Sequence, residues 1–416
     1  MSTTKPFEIS KIAVLEAYKK VKAKDGGAGV DGVIIEDFEK NLKNNLYKIW
    51  NRMSSGCYFP PPVKAVPIPK KTGGERILGV PTVADRVAQM IVKEQIEPVV
   101  EPVFHENSYG YRPGKSAHQA LEITRKRCWR YDWLLEFDIC GLFDNISHDL
   151  LLKALRKHIE CKWILLYVER WLTAPLQKCD GTILQRDKGT PQGGVISPVL
   201  SNLFLHYVFD AWMSKNYPDV PFVRYADDGL LHCRSEKQAR YIKDLLEERF
   251  RECGLELHPV KTKIVYCKDD LRKKVYANTG FTFLGYEFRP RLSFSQKNGK
   301  YFVNFSPAVS RVALTNFRDT MRIWKLHLRS DKSLQDLANM FNPVIQGWVN
   351  YFGRFYPSAM NASLRHINKV LEKWAMRKYK RLERHRRQAG YWLGRVARKN
   401  PRMFVHWRLG LLPTVG

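Results

Sequence analysis

Two short apolar segments on either side of an acidic stretch restrict the fold of this chain more than any other feature. Residues 220–226 and 230–233 have the composition of β-strands, and Asp227-Asp228-Gly229 lies between them. A connection this short predicts an antiparallel hairpin whose tip carries two carboxylates. A third apolar run, residues 133–139, contains Asp138 near its end, which is typical of a buried strand that carries an acid to a surface.

Three carboxylates that converge on one point can hold two divalent cations. Such pairs of ions, about 3.5–4 Å apart, serve nucleotidyl transfer, and hard cations such as Mg²⁺ prefer carboxylate oxygens. Asp138 together with Asp227 and Asp228 would meet this requirement if their strands are neighbours. The residues alone leave an ordinary alternative open, because Asp-Gly is a favoured hairpin turn and an acid at a strand end is often merely exposed.

The charge of the chain indicates a polyanionic partner. Its 70 Lys and Arg residues exceed its 41 Asp and Glu residues, which gives a formal net charge of +29. Each phosphate contact releases condensed counterions, so a field of this sign favours nucleic acid. A membrane surface is the competing interpretation, but the basic residues are spread through the whole chain instead of gathering on one amphipathic helix.

Length and composition predict a large globular protein with more than one domain. With 416 residues, 44% of them hydrophobic, the chain is long enough for a catalytic core and an appended module. We expect a soluble intracellular protein, since no segment approaches the roughly 20 apolar residues of a membrane span and no secretory leader is visible. Eight scattered cysteines indicate neither a disulfide framework nor a zinc module.

Motifs along nearly the whole chain resemble, in the same order, those of the reverse transcriptases of bacterial group II introns. They are GVDG at 29–32, IPK at 68–70, RILGVP at 76–81, SYGYRPG at 108–114, FDICGLFD at 137–144, GTPQGGVISP at 189–198, YADD at 225–228, KTK at 261–263 and FLG at 283–285. The segment QGWVNYF at 346–352 is similar to the maturase-specific thumb region of that family. Because so many ordered motifs agree, the acidic tip is interpreted as a metal site.

The resemblance implies an α+β fold of the right-hand polymerase type. Fingers and palm, with an N-terminal extension, are expected over 1–305, a helical thumb or maturase domain over 306–378, and a basic nucleic-acid-binding segment over 379–416. The resemblance further implies that the palm binds two Mg²⁺ ions, or Mn²⁺ in their place. The implied ligands are the carboxylates of Asp138, Asp227 and Asp228 and the backbone carbonyl of Ile139.

The resemblance also assigns roles to residues that would otherwise be read as core or surface side chains. Phe143 corresponds to a steric gate, a ring placed where the 2′-hydroxyl of a ribonucleotide would lie. Lys70 and Arg76 correspond to residues that grip the triphosphate of an incoming dNTP, a task suited to a point charge and a planar fork. Gln192 lies in a turn beside the nascent base pair, and Lys261 is a candidate proton donor to pyrophosphate.

A basic stripe follows one side of a predicted helix near the C-terminus. Its members recur every four residues and continue beyond the helix: Arg365, Lys369, Lys373, Arg377, Lys380, Arg381 and Arg384. A charged stripe is usually only a solvated face, but Glu372 and Glu383 are the only acids between positions 365 and 408. We therefore predict a nucleic-acid-binding surface, and the resemblance adds Arg112 to the nucleic-acid contacts.

These features together predict an RNA-directed DNA polymerase that also acts as the maturase of a group II intron and supports retrohoming. Its expected partners are the intron RNA, an RNA template with a DNA primer, target DNA and dNTPs, in the bacterial cytoplasm and without a membrane. The zinc-containing endonuclease of many relatives is not expected, since no such cluster precedes Gly416. Two alternatives stay open, a relative serving defence or DNA repair and a non-enzymatic splicing factor that binds RNA. The oligomeric state is left open.

Overall fold

Residues 5–69, 73–296 and 299–413 are described by a computed structural model, which divides the chain into two units. The first unit comprises the chain up to Thr124 together with Trp133–Ile264, and the second comprises Arg125–Asp132 with the chain from Val265. Helices and strands occur together, so the predicted mixture of α and β structure is confirmed. The predicted domain boundaries after 305 and 378 stay predictions, because a compact unit and a functional domain need not end at the same residue.

Helices surround two small sheets in the first unit, and polar caps set where several of them begin. The hydroxyls of Ser10, Thr82, Ser147 and Ser235 each accept a hydrogen bond from a backbone N–H of the first turn. The helices are α1 (Lys11–Lys24), α2 (Ile35–Glu39), α3 (Leu42–Ser54), α4 (Val83–Val100), α5 (Ala117–Cys128), α6 (Leu142–Asn145), α7 (His148–Arg156), α8 (Lys162–Thr173), α9 (Ser197–Leu205), α10 (Ala211–Asn216) and α11 (Glu236–Glu252).

The start of α9 differs from these capped helices. Serine is a favoured N-cap residue, but Ser197 is the first helical residue of α9, and the N-cap is Ile196, which makes no side-chain cap hydrogen bond. The Ser197 hydroxyl instead lies 2.8 Å from the hydroxyl of Thr190. The Ser197 hydroxyl therefore interacts with a residue outside the helix instead of capping the helix start.

Two four-stranded sheets belong to this part of the chain. The outer sheet has the order β2-β1-β4-β5 and consists of β1 (Val63–Pro69), β2 (Glu75–Val80), β4 (Leu176–Gln177) and β5 (Ile183–Leu184). The central sheet has the order β6-β7-β3-β8 and consists of β3 (Trp133–Phe137), β6 (Phe222–Tyr225), β7 (Asp228–Cys233) and β8 (Lys263–Tyr266). Leu134, Leu135, Leu230 and Leu231 are fully buried, as predicted for apolar runs without alternation.

The second unit combines an antiparallel sheet with a helical core. Its strands β9 (Phe281–Phe283), β10 (Tyr286–Ser295) and β11 (Lys300–Val309) have the order β11-β10-β9. Its helices are α12 (Arg311–Ile323), α13 (Leu334–Phe352), α14 (Asn361–Lys378), α15 (Arg386–Lys399) and α16 (Val405–Arg408). The Asn368 side chain accepts from Trp407 and donates to the Leu411 carbonyl, so the C-terminal segment is tied to α14.

Among the residues that the structure describes, no helix combines the length and the apolar character that a membrane crossing requires. Aromatic rings fill the core of the second unit instead. Trp374, Phe404 and Trp407 are buried, and Tyr379 and Trp392 pack against them. Most of the aromatic side chains near the C-terminus therefore serve packing.

A buried ion pair fixes the end of β6. The guanidinium of Arg224 donates to both carboxylate oxygens of Asp210 at 2.7 and 2.6 Å, and both side chains are 0% exposed. A third donor of Arg224 reaches Asn202 Oδ1 and the Ala226 carbonyl, each at 3.1 Å. Such a bidentate arrangement satisfies a guanidinium that is fully removed from water.

Replacement of Asp210 by Ala would leave the Arg224 charge buried without its partner. We expect the free energy of unfolding of the Asp210→Ala variant to fall by about 3–5 kcal/mol, measured by urea denaturation. The control is Glu236→Ala, which removes an exposed ion pair to Arg240 and should cost about 0.5 kcal/mol or less. Equal losses in the two variants would contradict a special contribution from the buried pair.

Candidate active site

The acidic tip is a hairpin in which Asp228 already belongs to a strand. Tyr225 pairs with Asp228 across the antiparallel strands β6 and β7, so Ala226 and Asp227 alone form the turn. The alternative that Asp228-Gly229 is simply a favoured turn dipeptide is therefore wrong. Ala226 has a φ of 56°, which is uncommon for a residue with a side chain and is found where surrounding contacts impose it.

Close packing explains why a glycine follows the two aspartates. Phe137 pairs with Gly229 across β3 and β7, and a Cβ on Gly229 would lie only 2.1 Å from the Phe137 ring. Asp138 directly follows Phe137 and Asp228 directly precedes Gly229, so the two carboxylates lie beside this pair, where Asp228 is hydrogen-bonded to Asp138. The strand end and the hairpin tip thus deliver three carboxylates to one edge of the central sheet, as the sequence predicts.

The carboxylates interact strongly enough to change one another's ionisation. Burial, followed by the charges of Asp227 and Asp138, raises the pKa of Asp228 to about 7. Burial and then the Asp138 charge also raise the pKa of Asp227 above its ordinary value. These shifts mean that negative charge is crowded at the tip, and that nearby positive charge would stabilise the ionised carboxylates.

Lys261 supplies one positive charge at this edge. Its Nζ lies 2.6 Å from Asp138 Oδ2. The side chain of Asp138 is 11% exposed, whereas that of Lys261 is 57% exposed. The hydrogen bond to Asp138 raises the pKa of Lys261, so the ammonium is held in its charged form. Lys261, the candidate proton donor, is therefore in direct contact with a candidate metal ligand.

The carboxylate oxygens at this edge of the sheet are suitable ligands for a divalent cation, although the side chains do not form a complete coordination site. Over residues 5–69, 73–296 and 299–413, no three His, Cys, Asp or Glu side chains form a group that could hold a metal ion. Asp138, Asp227 and Asp228 nevertheless repel one another, and one oxygen of Asp138 is bound by Lys261. A hard cation would relieve that repulsion with oxygen donors, which are the ligands it prefers.

A rigid turn holds the candidate nucleotide-binding residues Phe143 and Gln192. The Phe143 carbonyl accepts a hydrogen bond from Thr190 N at 2.7 Å, and the Gln192 carbonyl accepts one from Gly79 N at 2.7 Å. Gly193 has a φ of 114°, and a Cβ there would lie 2.6 Å from the Gly79 carbonyl oxygen. The turn is therefore fixed to β2 on one side and to α6 on the other, and both candidate side chains are half-buried.

Of the two candidates for binding the triphosphate, the structure describes one, and it also shows one residue that was missed. Arg76 is exposed on β2, whereas Lys70 lies outside the described residues.

Tyr111 is a residue near the acidic tip that the sequence did not single out. Burial and then the Asp227 charge raise the pKa of Tyr111, and the Arg76 charge opposes that rise. Its phenol therefore lies within electrostatic reach of both. The feature that distinguishes Tyr111 is its unusual φ of 58°, which cannot be read from the sequence.

Arg112 occupies an interior position and not an exposed one. Its guanidinium, 5% exposed, forms an ion pair with Glu101 at 2.7 Å. It also donates to the carbonyls of His105 and Ser108 at 2.6 and 2.7 Å. Its donors are used within the protein, so we infer that Arg112 holds the 101–112 segment in place and do not carry it into the nucleic-acid surface.

The predicted basic stripe is exposed along α14 and on the segment that follows it. Its members Arg365, Lys369, Lys373, Arg377, Lys380, Arg381 and Arg384 are all exposed. The opposite side of the helix, including Leu364, Ile367, Leu371 and Trp374, is buried as predicted. Helical spacing was therefore a sufficient signal for this face.

A pocket of about 580 Å³ lies beside the stripe in the second unit. Its lining includes Arg365, Lys369, Glu372, Arg386, Arg387 and Tyr391. Arg386 Nε lies 3.5 Å from Glu372 Oε2, the one acid among these six residues. Arg386 and Arg387 were missed from the sequence because they begin the next helix, and only the packing of α15 on α14 brings them to the stripe.

Comparison with protein families gives two matches. Residues 68–288 match the reverse transcriptase (RNA-dependent DNA polymerase) family, and residues 314–392 match the group II intron maturase-specific domain. The first match contains the three aspartates, Lys261, Phe143 and Gln192. The second contains α13, α14 and the start of the pocket-forming helix α15.

Individual relatives agree with the family matches. The chain is 33% identical to protein YkfC of Escherichia coli K12 over 62% of its own length and 74% of the relative. It is 33% identical to the group II intron-encoded protein LtrA of Lactococcus lactis over 43% of its length and 30% of that relative. A 91 kDa protein in the cob intron of Schizosaccharomyces pombe is 29% identical over 84% of the chain and 50% of the relative.

The family matches and the relative covered over most of its length lead to one conclusion. The first match spans more than half of the 416 residues, and the second adds the maturase-specific part. The chain therefore belongs to the reverse transcriptase family, as an RNA-directed DNA polymerase of the group II intron type.

Proposed function

We propose that the chain synthesises DNA on an RNA template at the edge formed by Asp138, Asp227 and Asp228. The observation that carries this proposal is the pairing of Phe137 with Gly229 between β3 and β7, which brings the adjacent Asp138 and Asp228 together at the hairpin tip. In this proposal the first unit supplies fingers and palm, and the helical part of the second unit supplies the thumb or maturase domain. Two Mg²⁺ ions are the proposed cofactors.

The proposed ligands are the three carboxylates and the Ile139 carbonyl, and bound ions would activate the primer hydroxyl and neutralise pyrophosphate. The chain's own contribution is to hold these acids in place at a crowded tip and to offset part of their negative charge. Lys261 shares this task, because its ammonium offsets the charge of Asp138 at 2.6 Å. The same ammonium is our candidate source of a proton for the leaving pyrophosphate, and its exposure allows it to reach solvent.

Nucleotide selection is proposed for the turn beside α6. Phe143 would exclude a ribose 2′-hydroxyl by shape, and Gln192 would contact the incoming nucleotide. This assignment is supported by the hydrogen bonds that fix the backbone of both residues, since a steric filter works only if it cannot move aside. Arg76 on β2, together with Lys70, is proposed to bind the triphosphate, and the dNTPs are the proposed substrates.

Removal of the hairpin carboxylates tests the site directly. We expect Asp227→Ala combined with Asp228→Ala to abolish dNTP incorporation on a primed RNA template, because two of three carboxylate ligands are lost. Primer extension measures this loss. The control Asp180→Ala removes an exposed acid from the β4–β5 hairpin and should leave extension unchanged. Extension by the double variant at the wild-type rate would place the catalytic site elsewhere.

Truncation of Phe143 tests the steric gate. We expect Phe143→Ala to incorporate ribonucleotides, with the ratio of kcat/KM for dNTP to that for NTP falling by roughly tenfold or more, in the range that exclusion by shape supplies. Single-nucleotide extension with each sugar measures the ratio. Phe294→Ala, at an exposed ring in β10, is the matched control and should keep the wild-type ratio. An unchanged ratio in Phe143→Ala would remove the gate role.

Intron RNA is the proposed partner of the second unit, with splicing and retrohoming into target DNA as the proposed outcome. The exposed stripe on α14 and the pocket beside it support this proposal, because exposed cations bind phosphate groups and Glu372, which pairs with Arg386, is the one acid that lines the pocket. Tyr391 at the pocket provides an aromatic face on which an unpaired base can stack.

Charge reversal at the pocket tests RNA binding. We expect Arg386→Glu combined with Arg387→Glu to weaken RNA binding and to reduce the slope of log K against log salt by about one for each lost phosphate contact. Filter binding across a salt series measures both. Arg234→Glu combined with Lys237→Glu makes the same charge change at exposed positions of the first unit and should leave the slope unchanged.

The matching test of maturase activity is splicing of the host intron at low magnesium. The wild-type protein should stimulate splicing above RNA alone, and the Arg386→Glu, Arg387→Glu variant should stimulate it less. Equal splicing with and without wild-type protein would reject the maturase proposal while leaving DNA synthesis intact.

A further inference from the structure

Two polar side chains one helical turn apart on α4 are buried although nothing in the proposed chemistry uses them. Asp85 is 1% exposed and Gln89 is 2% exposed. Burial of a carboxylate or an amide lowers the stability of the fold unless the group is hydrogen-bonded. Their partners show that they connect the protein interior to the turn that carries Gln192.

The orientation of the Gln89 amide is set by a backbone donor. Val195 N–H can only donate, and it lies 2.8 Å from the Gln89 side-chain oxygen, with Ile196 N at 3.4 Å from the same atom. The amide nitrogen of Gln89 must therefore face the other way, where it donates to Asp85 Oδ2 at 2.9 Å. The amide acts as a link with a fixed polarity, accepting at the turn and donating inward.

Asp85 is in turn held as an acceptor by two donors. Trp171 Nε1 donates to Asp85 Oδ1 at 2.7 Å, and the Tyr58 hydroxyl donates to the same oxygen at 2.9 Å. An indole N–H cannot accept, so this oxygen must. One carboxylate oxygen is thereby fixed by α8 and the segment before β1, and the other is left to orient Gln89.

The turn beyond Gln89 has little freedom elsewhere. Gln192 is bound to Gly79 through its carbonyl at 2.7 Å, and Gly193 has no room for a Cβ. Val195 and Ile196 form the other end of the turn, and their N–H groups meet Gln89. The backbone of residues 191–194 is consequently positioned by β2, by the hydrogen bond from Thr190 to Phe143 at its start, and by Gln89 at its end.

We propose that Gln89, oriented by Asp85, is a positioning residue that sets the affinity for the incoming nucleotide and the rejection of mismatches. It touches no reacting atom and acts through the backbone of Val195 and Ile196. The proposal rests on the function proposed above for Gln192. Its signature is an effect on the KM for dNTP and on misincorporation, with a smaller effect on kcat.

The test exploits the polarity of the link. Asp85→Asn presents an amide nitrogen to Gln89, which must then turn its own oxygen inward and set a donor against Val195 N–H. Adding Gln89→Glu to that variant restores the sequence of donors and acceptors, because Glu accepts from both Asn and Val195. Gln89→Met keeps the approximate size and removes the link. Single-nucleotide extension gives KM, kcat and mismatch frequency for each variant.

We expect Asp85→Asn and Gln89→Met to raise KM for dNTP and mismatch frequency by about tenfold, which corresponds to about 1.4 kcal/mol, because a buried hydrogen-bonded link is lost. The double variant Asp85→Asn, Gln89→Glu should return towards wild type, and thermal melting shows that each variant is folded. A double variant no better than Asp85→Asn would overturn the polarity argument. Unchanged KM and mismatch frequency in folded Gln89→Met would overturn the positioning role.

Hydrogen exchange at Val195 and Ile196 separates this inference from the proposed function. Both amides should exchange faster in Gln89→Met and slowly again in the double variant, whatever the activity. If the wild-type protein incorporated no nucleotide, the proposed function would fail while the exchange data still tested the link. Unchanged exchange rates in Gln89→Met would contradict the link even in an active enzyme.

Discussion

The buried ion pair of Arg224 and Asp210 is the interaction on which the acidic tip depends. Arg224 directly precedes Tyr225, so its position decides where the hairpin turns. Its guanidinium binds Asp210 through two donors and also reaches Asn202 and the Ala226 carbonyl. Asn202 in turn donates to the Gly110 carbonyl at 2.8 Å, so the segment packed against the turn is tied to the same charge. A positive φ at Ala226 persists because these contacts leave no alternative.

This anchoring is needed because the tip is electrostatically unfavourable in the free protein. Burial and mutual repulsion raise the pKa of Asp228 to about 7, so at neutral pH its ionised form is disfavoured. A folded-state pKa above the ordinary value of a carboxyl means that stability falls as the pH rises towards and through 7. A cation at the carboxylates would reverse that penalty. Packing and hydrogen bonds in the rest of the first unit compensate for the stability lost at the carboxylates.

The sequence predicts the strands and acids of this site better than its turns and supports. The apolar runs next to Asp138 and Asp228 are buried by their own composition, so the presence of these strands follows from the sequence. The turn was predicted at residues 227–229 but lies at Ala226 and Asp227, because Asp-Gly is locally favoured as a turn. The local sequence does not show that the Phe137 ring packs against Gly229. Tyr111, Arg386 and Gln89 were missed for a related reason. Each acts across a contact between segments distant in sequence, which periodicity does not encode.

The supports of the candidate nucleotide site are mostly backbone hydrogen bonds, and this changes how its sequence should be read. Phe143 and Gln192 are fixed through their carbonyl oxygens, so a substitution at either position alters the side chain without releasing the turn. The side chains that do fix the turn are Gln89 and, behind it, Asp85, which lie on a helix of the core. In the proposed function, selectivity would be adjusted at the half-buried side chains of Phe143 and Gln192 while the frame is kept by the fully buried ones. A polymerase that must hold one geometry for four different base pairs requires that separation.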